Sequence, residues 1–305
     1  MCSALKPENP LEPNPSQPPL VRGGAGSALP LTRGSWRGFE ANEQSGSNTQ
    51  AIPTTSLESR LVVAPDLSRL PLVQLHTMRQ AGHEIAGSYR ALRKAGLNIV
   101  GEVLRDSQNR GETFYEFNHY PEDDVYDRES HAQYYYHAHR SETGEHGHFH
   151  CFLRPKGMPA GVTPIDYPAT DPWPQGNEAL SHLVAIAMDG YGFPTSLFTT
   201  NRWVTAEAWY PAEQVIRMLD RFVIDHAFPS LPVNRWVSAM FVLYRPHIEA
   251  LLKKRDEIVW AWADAHPGED VFEDRALDIT SQIDISVEDI LGKIEREIAT
   301  RANQP

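Results

Sequence analysis

Cysteine is almost missing from this chain: 305 residues carry two, Cys2 and Cys151. Two such distant thiols supply no disulfide framework, so a reducing, cytoplasmic compartment is expected. Long hydrophobic runs are missing too. No stretch approaches the ~18 apolar residues that read as a bilayer-crossing helix, and "MCSALKPENPLEPNPSQPPL" has neither the basic start nor the apolar segment of a secretory signal. No membrane association is expected. Positive charge is scarce as well, with 28 Lys and Arg against 40 Asp and Glu and a net charge of -12. Sequence-independent binding to a phosphate backbone needs an excess of cations, so nucleic acid is not the expected partner. A small-molecule substrate is a partner that this composition leaves open.

What is present begins with a segment poor in core-forming residues. Residues 1–60 hold eight prolines together with "RGGAGS" and "NEQSGSNTQ". Such a composition does not repay the entropy of ordering and predicts a disordered tail. Trp36 and Phe39 are the aromatic residues there that could anchor docking. From Pro71, Leu72, Leu75, Met78, Ile85, Tyr89 and Leu92 recur at helical spacing up to Gly96, predicting a helix over 71–95. The period then shortens to two in "NIVGEVLR" and "ETFYEFNHY", predicting a hairpin of residues 98–105 and 112–119. The acidic "PEDDVYDRES" reads as the link to a second hairpin, of residues 131–140 and 146–154.

Residues 154–177 form a long connection rich in Pro and Gly, of the kind that either covers a site or makes a surface excursion. "SHLVAIAMD" and "PTSLFTTNRWVTAEAWY" read as further strands. Pro211 opens a helix running to His226, and the remainder is helical in pattern, with Pro246 at one helix start and Ser286 with Asp289 as a capping box at another. "NRWV" occurs at 201–204 and again at 234–237, too short a match for a structural repeat. These elements predict an α+β fold: an antiparallel sheet of meandering hairpins, one preceding helix and a helical C-terminal half. The expected division is a tail (1–60), an α+β domain (61–227) and a helical region packed on it (228–305).

The densest chemistry lies in "HAHRSETGEHGHFHC", where five of the chain's 13 histidines fall within residues 137–150. Residues two apart on a strand share a face, which aligns His137 with His139 and His146 with His148 and His150. A four-residue turn at 141–144 pairs positions that sum to 285, bringing all five rings to one side. A three- or five-residue turn would send the two sets to opposite faces. Neutral imidazoles converging on one point are ligands for a divalent transition metal, zinc or iron, and a strand site leaves a position open for water or substrate. The candidate ligands are His137, His139, His146, His148 and His150. Glu122, Asp123, Asp124 and Asp127 could add a carboxylate to the ligands or behind them. His76 and His83, seven apart on the predicted helix, are assigned no role.

The heptad "HGHFHCF" resembles the H-φ-H-φ-H-φ-φ motif of histidine triad nucleotide hydrolases and transferases, with Gly147 in a φ position. That resemblance implies His148 as the catalytic nucleophile toward an α-phosphate, an imidazole being a good nucleophile and leaving group at phosphorus. The likeness covers about a dozen residues, and His137 and His139 stand outside its motif. "HFH" also matches the His-hydrophobic-His element of rolling-circle nucleases, which suits an acidic chain poorly. Across residues 81–204, with "YYYHAH", "HGHFHCFLRP" and "LFTTNRWVT", the chain is similar to an uncharacterised bacterial domain family of unknown function. The functional readings from sequence are therefore three. A transition-metal-binding protein leads, with a metal-dependent hydrolase or oxygenase as its enzymatic form, ahead of a histidine-triad-like phosphate enzyme and a non-enzymatic interaction module with histidines on a half-exposed sheet face.

Overall fold

A computed structural model of the chain describes residues 57–109, 111, 115–138 and 144–303. The expected tail therefore falls outside the described residues up to position 56. Within them the architecture is α+β. Two helices, α1 (Leu72–Lys94) and α2 (Ile99–Asn109), precede strands β1 (Tyr120–Tyr126), β2 (Ala132–His137), β3 (Gly147–Leu153), β4 (Ser181–Met188) and β5 (Pro194–Thr200). The chain continues through the short α3 (Arg202–Thr205), α4 (Ala212–Met218), α5 (Leu231–Leu243) and α6 (Arg245–Ala265). It then returns as β6 (Ile279–Asp284) and ends in α7 (Val287–Ala302). The six strands lie side by side in chain order, every neighbouring pair antiparallel.

Alternation sets the two faces of the sheet. Tyr134 and Tyr136 of β2, with Phe149, Cys151 and Leu153 of β3, point into the main core. There they meet α1 and α5: Trp236 packs 5.7 Å from Phe149, and the Tyr134 hydroxyl donates to Asn234 Oδ1 at 2.6 Å. Burying one such aromatic side chain stabilises the fold by roughly 1.5–3 kcal/mol. The intervening residues Tyr135, His137, His148, His150 and Phe152 are thereby forced onto the opposite face.

Three expectations are corrected. Residues 99–105 are helical, not a strand: Ile99, Val100, Val103 and Leu104 are buried at helical spacing, and Asn98 Oδ1, just before the helix, accepts the Gly101 N–H at 2.7 Å. β-branched residues suggested a strand, and the packing of an amphipathic face overrode them. The acidic stretch taken as a link supplies β1, an edge strand. Edges tolerate both an initial proline, here Pro121, and outward charge. Finally, "ITSQID" in the expected helical half is β6, whose Leu197–Ile283 pairing completes the sheet and whose outer edge meets Leu61. Ser286 caps α7 by accepting the Asp289 N–H at 3.2 Å, as its spacing predicts.

The long Pro-rich connection packs Ile165, Tyr167 and Trp173 against a second cluster of Trp209, Val271 and Phe272. Tyr167 and Trp173 stack in parallel 5.7 Å apart, each edge-on to Phe272.

Candidate metal centre

β2 and β3 pair with the register expected from the four-residue turn: Tyr135 opposite His150 and His137 opposite His148. Paired residues share a face, so three imidazoles come together. Ring centroids lie 4.5 Å apart for His137–His148, 5.0 Å for His137–His150 and 4.8 Å for His148–His150. One ligand atom from each falls within 4.8 Å of the others. On the next strand, β4 sets Ala187 beside His148 and Ala185 beside His150. The methyl side chains keep that flank low, and Phe198 of β5 closes it at 5.1 Å from the His148 ring.

The two remaining histidines of the cluster are placed differently. His139 lies outside the described residues. His146 does not join the cluster: its Nδ1 is hydrogen-bonded to the Tyr136 hydroxyl at 2.7 Å, and Tyr136 belongs to the core face. Among the described residues the β2–β3 ladder ends at His137–His148, and the His146 N–H donates to the Met188 carbonyl at 2.8 Å. With the cross-strand register gone, the alternation that would have aimed this ring at the others no longer applies. His76 is paired with Arg79 on α1, away from the sheet.

Three partners that the sequence did not single out support the cluster. Glu145 engages His148 Nδ1, fixing that ring and leaving Nε2 toward His137, whose own Nε2 is 2.7 Å away. His182 of β4 approaches His150 Nδ1 with its Nε2 at 3.1 Å. His119, just before β1, stacks on Tyr135 with centroids 3.5 Å apart and planes at 9°. Glu145 sits in a turn-forming run and His182 alone in an apolar strand, so neither carries a local pattern. Only the pairing of β3 with β4 reveals His182.

Burial favours the neutral form of His150 and His182. Burial holds His150 well below the usual imidazole range, and the surrounding His148, His182, His137 and His119 push the same way. Burial, then Arg255 and His148, bring His182 down to about 3. Neutral imidazole is the form that binds a metal. Behind His182, the buried Glu207 accepts its backbone N–H at 2.5 Å, and burial pushes the Glu207 carboxyl up to about 7 against the opposing pull of Arg255.

Of the acidic residues before β2, Asp127 accepts the N–H groups of Glu129 and Ser130 at 2.9 and 2.8 Å and so shapes the β1–β2 turn. Asp124 binds His119 and Gln133. No helix among the described residues is long and apolar enough to cross a membrane.

The curated proteins and the solved structures contain no match to the chain. A family model does match, over residues 79–285, a span that takes in both the histidine hairpin and β6. The chain belongs to that family, the domain of unknown function DUF6969.

Proposed function

We propose that this protein binds a divalent transition metal, zinc or iron, through His137, His148 and His150, and uses the metal's open position on a small-molecule substrate. One observation carries the reading: three buried or nearly buried imidazoles on two paired strands offer ligand atoms within 4.8 Å of one another. In a tetrahedral site with Zn–N bonds of about 2.0–2.1 Å, neighbouring nitrogens stand about 3.3 Å apart. The His137–His148 pair, at 2.7 Å, would open by about 0.6 Å to admit the ion. A carboxylate on the far nitrogen of a ligating histidine fixes its tautomer and raises its basicity, the role that falls to Glu145. Three protein ligands with a vacant position are the donor set of catalytic rather than structural zinc. The matching reaction classes are metal-dependent hydrolysis and, with iron, oxygenation.

Elemental analysis of protein purified without a histidine tag tests this, with about one transition metal per chain expected. Folded protein that neither carries such a metal nor takes up zinc, iron(II) or cobalt(II) on titration would sink it.

A second reading has one feature in its favour. His148 is held by Glu145 on Nδ1 and faces another imidazole on Nε2, as an oriented nucleophile would be. Against it, His148 is 1% exposed, which leaves a nucleotide phosphate little room to reach it. Chelator-insensitive cleavage of a nucleotide phosphoramidate, abolished by His148→Ala, would favour this reading.

A further inference from the structure

A second, polar constellation borders the three-histidine cluster, and hydrogen-bond chemistry alone fixes its direction. Arg154, 8% exposed, donates from Nε to Gln133 Oε1 at 2.6 Å. Arginine has only donors, so this oxygen is the acceptor and the other end of the Gln133 amide must be NH₂. That nitrogen donates to Asp124 Oδ2 at 2.6 Å. The second carboxylate oxygen, Oδ1, lies 2.8 Å from His119 Nδ1. A carboxylate accepts only, so in neutral His119 the proton sits on Nδ1 and Nε2 carries a lone pair. Among the described residues, no protein group hydrogen-bonds that Nε2.

Two further observations show that this arrangement is held in place. Asp124 adopts φ 53, the left-handed region in which non-glycine residues are uncommon. In that conformation its carboxylate serves both His119 and Gln133. The His119 ring also lies flat on Tyr135 and is 34% exposed, and its centroid stands 6.1 Å from that of the His137 ring, with the planes at 81°. His119 is therefore too distant to complete the close triad of ligands. Through Tyr135 it lies on the same sheet face as those rings and beside them.

We propose that His119 is the substrate-facing acceptor of the site, held by Asp124 in the tautomer whose Nε2 receives a hydrogen bond from an O–H or N–H of the metal-bound molecule. The inference rests on the metal-binding reading and adds a chemical requirement: ligands of the metal that carry a donor beside the coordinating atom are preferred over those that do not. No titration is involved, since the preference follows from the tautomer that Asp124 selects.

The test uses cobalt(II)-loaded full-length protein, with the visible absorption bands as readout. Two small chelating probes are compared at about pH 8, where an ordinary histidine is neutral: acetohydroxamate, which keeps an N–H beside its coordinating oxygens, and its N-methyl derivative, which does not. Wild type is expected to bind the first about tenfold more tightly, the worth of one ordinary net hydrogen bond. In His119→Phe, which keeps a flat ring on Tyr135 and removes the acceptor, the two should bind alike with unchanged cobalt stoichiometry. Cobalt bound normally but with no preference in wild type, or the same preference in His119→Phe, overturns the role of His119 alone. Failure to take up cobalt at all overturns the metal-binding reading and this inference with it.

Discussion

His137 and His148 occupy directly paired positions of β2 and β3, and their Nε2 atoms stand 2.7 Å apart. Two imidazole nitrogens that close share one proton if both rings are neutral, one donating and the other accepting. A metal ion replaces that proton with a larger cation that both can ligate. Alanine at His137, His148 or His150 is accordingly expected to lower metal affinity beyond the roughly 10–100-fold that loss of an outer partner costs. His146→Ala and His76→Ala should leave it unchanged, because those rings are engaged elsewhere. Metal content measured by elemental analysis after dialysis decides it, and retention by a His137→Ala/His148→Ala double variant would contradict the ligand set.

Glu145, on Nδ1 of His148, offers a separate test of the proposed metal site. Replacing it with Gln keeps a hydrogen-bond acceptor near His148 Nδ1 but removes the charge that makes the ring a stronger donor to a metal. Affinity for zinc should fall about 10–100-fold with the thermal midpoint of the metal-free protein little altered. Competition against a chromophoric chelator measures the first and circular dichroism the second. Unchanged affinity would make the Glu145 contact incidental.

Gly147 lies between His146 and His148, where the histidine triad pattern asks for an apolar side chain. A Cβ there would stand 2.5 Å from the His137 carbonyl oxygen and 2.6 Å from the Tyr136 hydroxyl. The first neighbour is backbone and cannot swing aside. Gly147→Ala is thus expected to force β2 and β3 apart beside the cluster, costing about 1–3 kcal/mol of stability and weakening metal binding as well. Urea denaturation together with metal titration checks both effects. A variant as stable and as metal-competent as wild type would show that the strands can slide here without loss.

Much of this site was legible from period two alone. The alternation of Tyr134, Tyr136, Phe149, Cys151 and Leu153 with His137, His148 and His150 separates core from site face, and the turn length sets the register. The same reasoning failed at His146, because alternation holds only while the ladder lasts, and where a ladder ends is decided by neighbours such as Met188. His182 and His119 come from strands or loops distant in sequence, so only sheet order brings them near. In the fold, α1 was readable from its apolar spacing and the cap at α7 from Ser286 and Asp289. α2 and β6 were not: Ile99, Val100 and Val103 are β-branched residues in a helix, and "ITSQID" is a polar strand whose hydroxyls are satisfied by β5 and by the backbone of α6. Thr199 Oγ1 meets Ser281 Oγ at 2.6 Å, and Ser281 Oγ donates to the Leu251 carbonyl at 2.9 Å.

Away from the histidine cluster, His247 of α6 makes the protein's stability depend on pH. Its ring is 4% exposed and edge-on to Tyr244 at 5.2 Å, and its Nδ1 has no hydrogen-bond partner among the described residues. Burial, with Lys293 adding to it, brings His247 down to about 4 from an ordinary 6.5. The folded protein therefore resists protonating a ring that the unfolded chain protonates readily. With the folded value depressed, this contribution to stability is whole above about pH 6.5 and is lost progressively as pH falls toward about 4, below which no further loss comes from this group. The full drop is roughly 3 kcal/mol at 1.36 kcal/mol per unit. His247→Leu keeps an apolar side chain of related size and removes the titrating group. Urea midpoints recorded between pH 7 and pH 4.5 should fall less steeply for the variant than for wild type, so that the stability difference between them shifts in the variant's favour as pH drops. Parallel curves for the two proteins would mean that His247 gains a proton in the folded state as easily as in the unfolded one, which the burial of its ring and the nearness of Lys293 argue against.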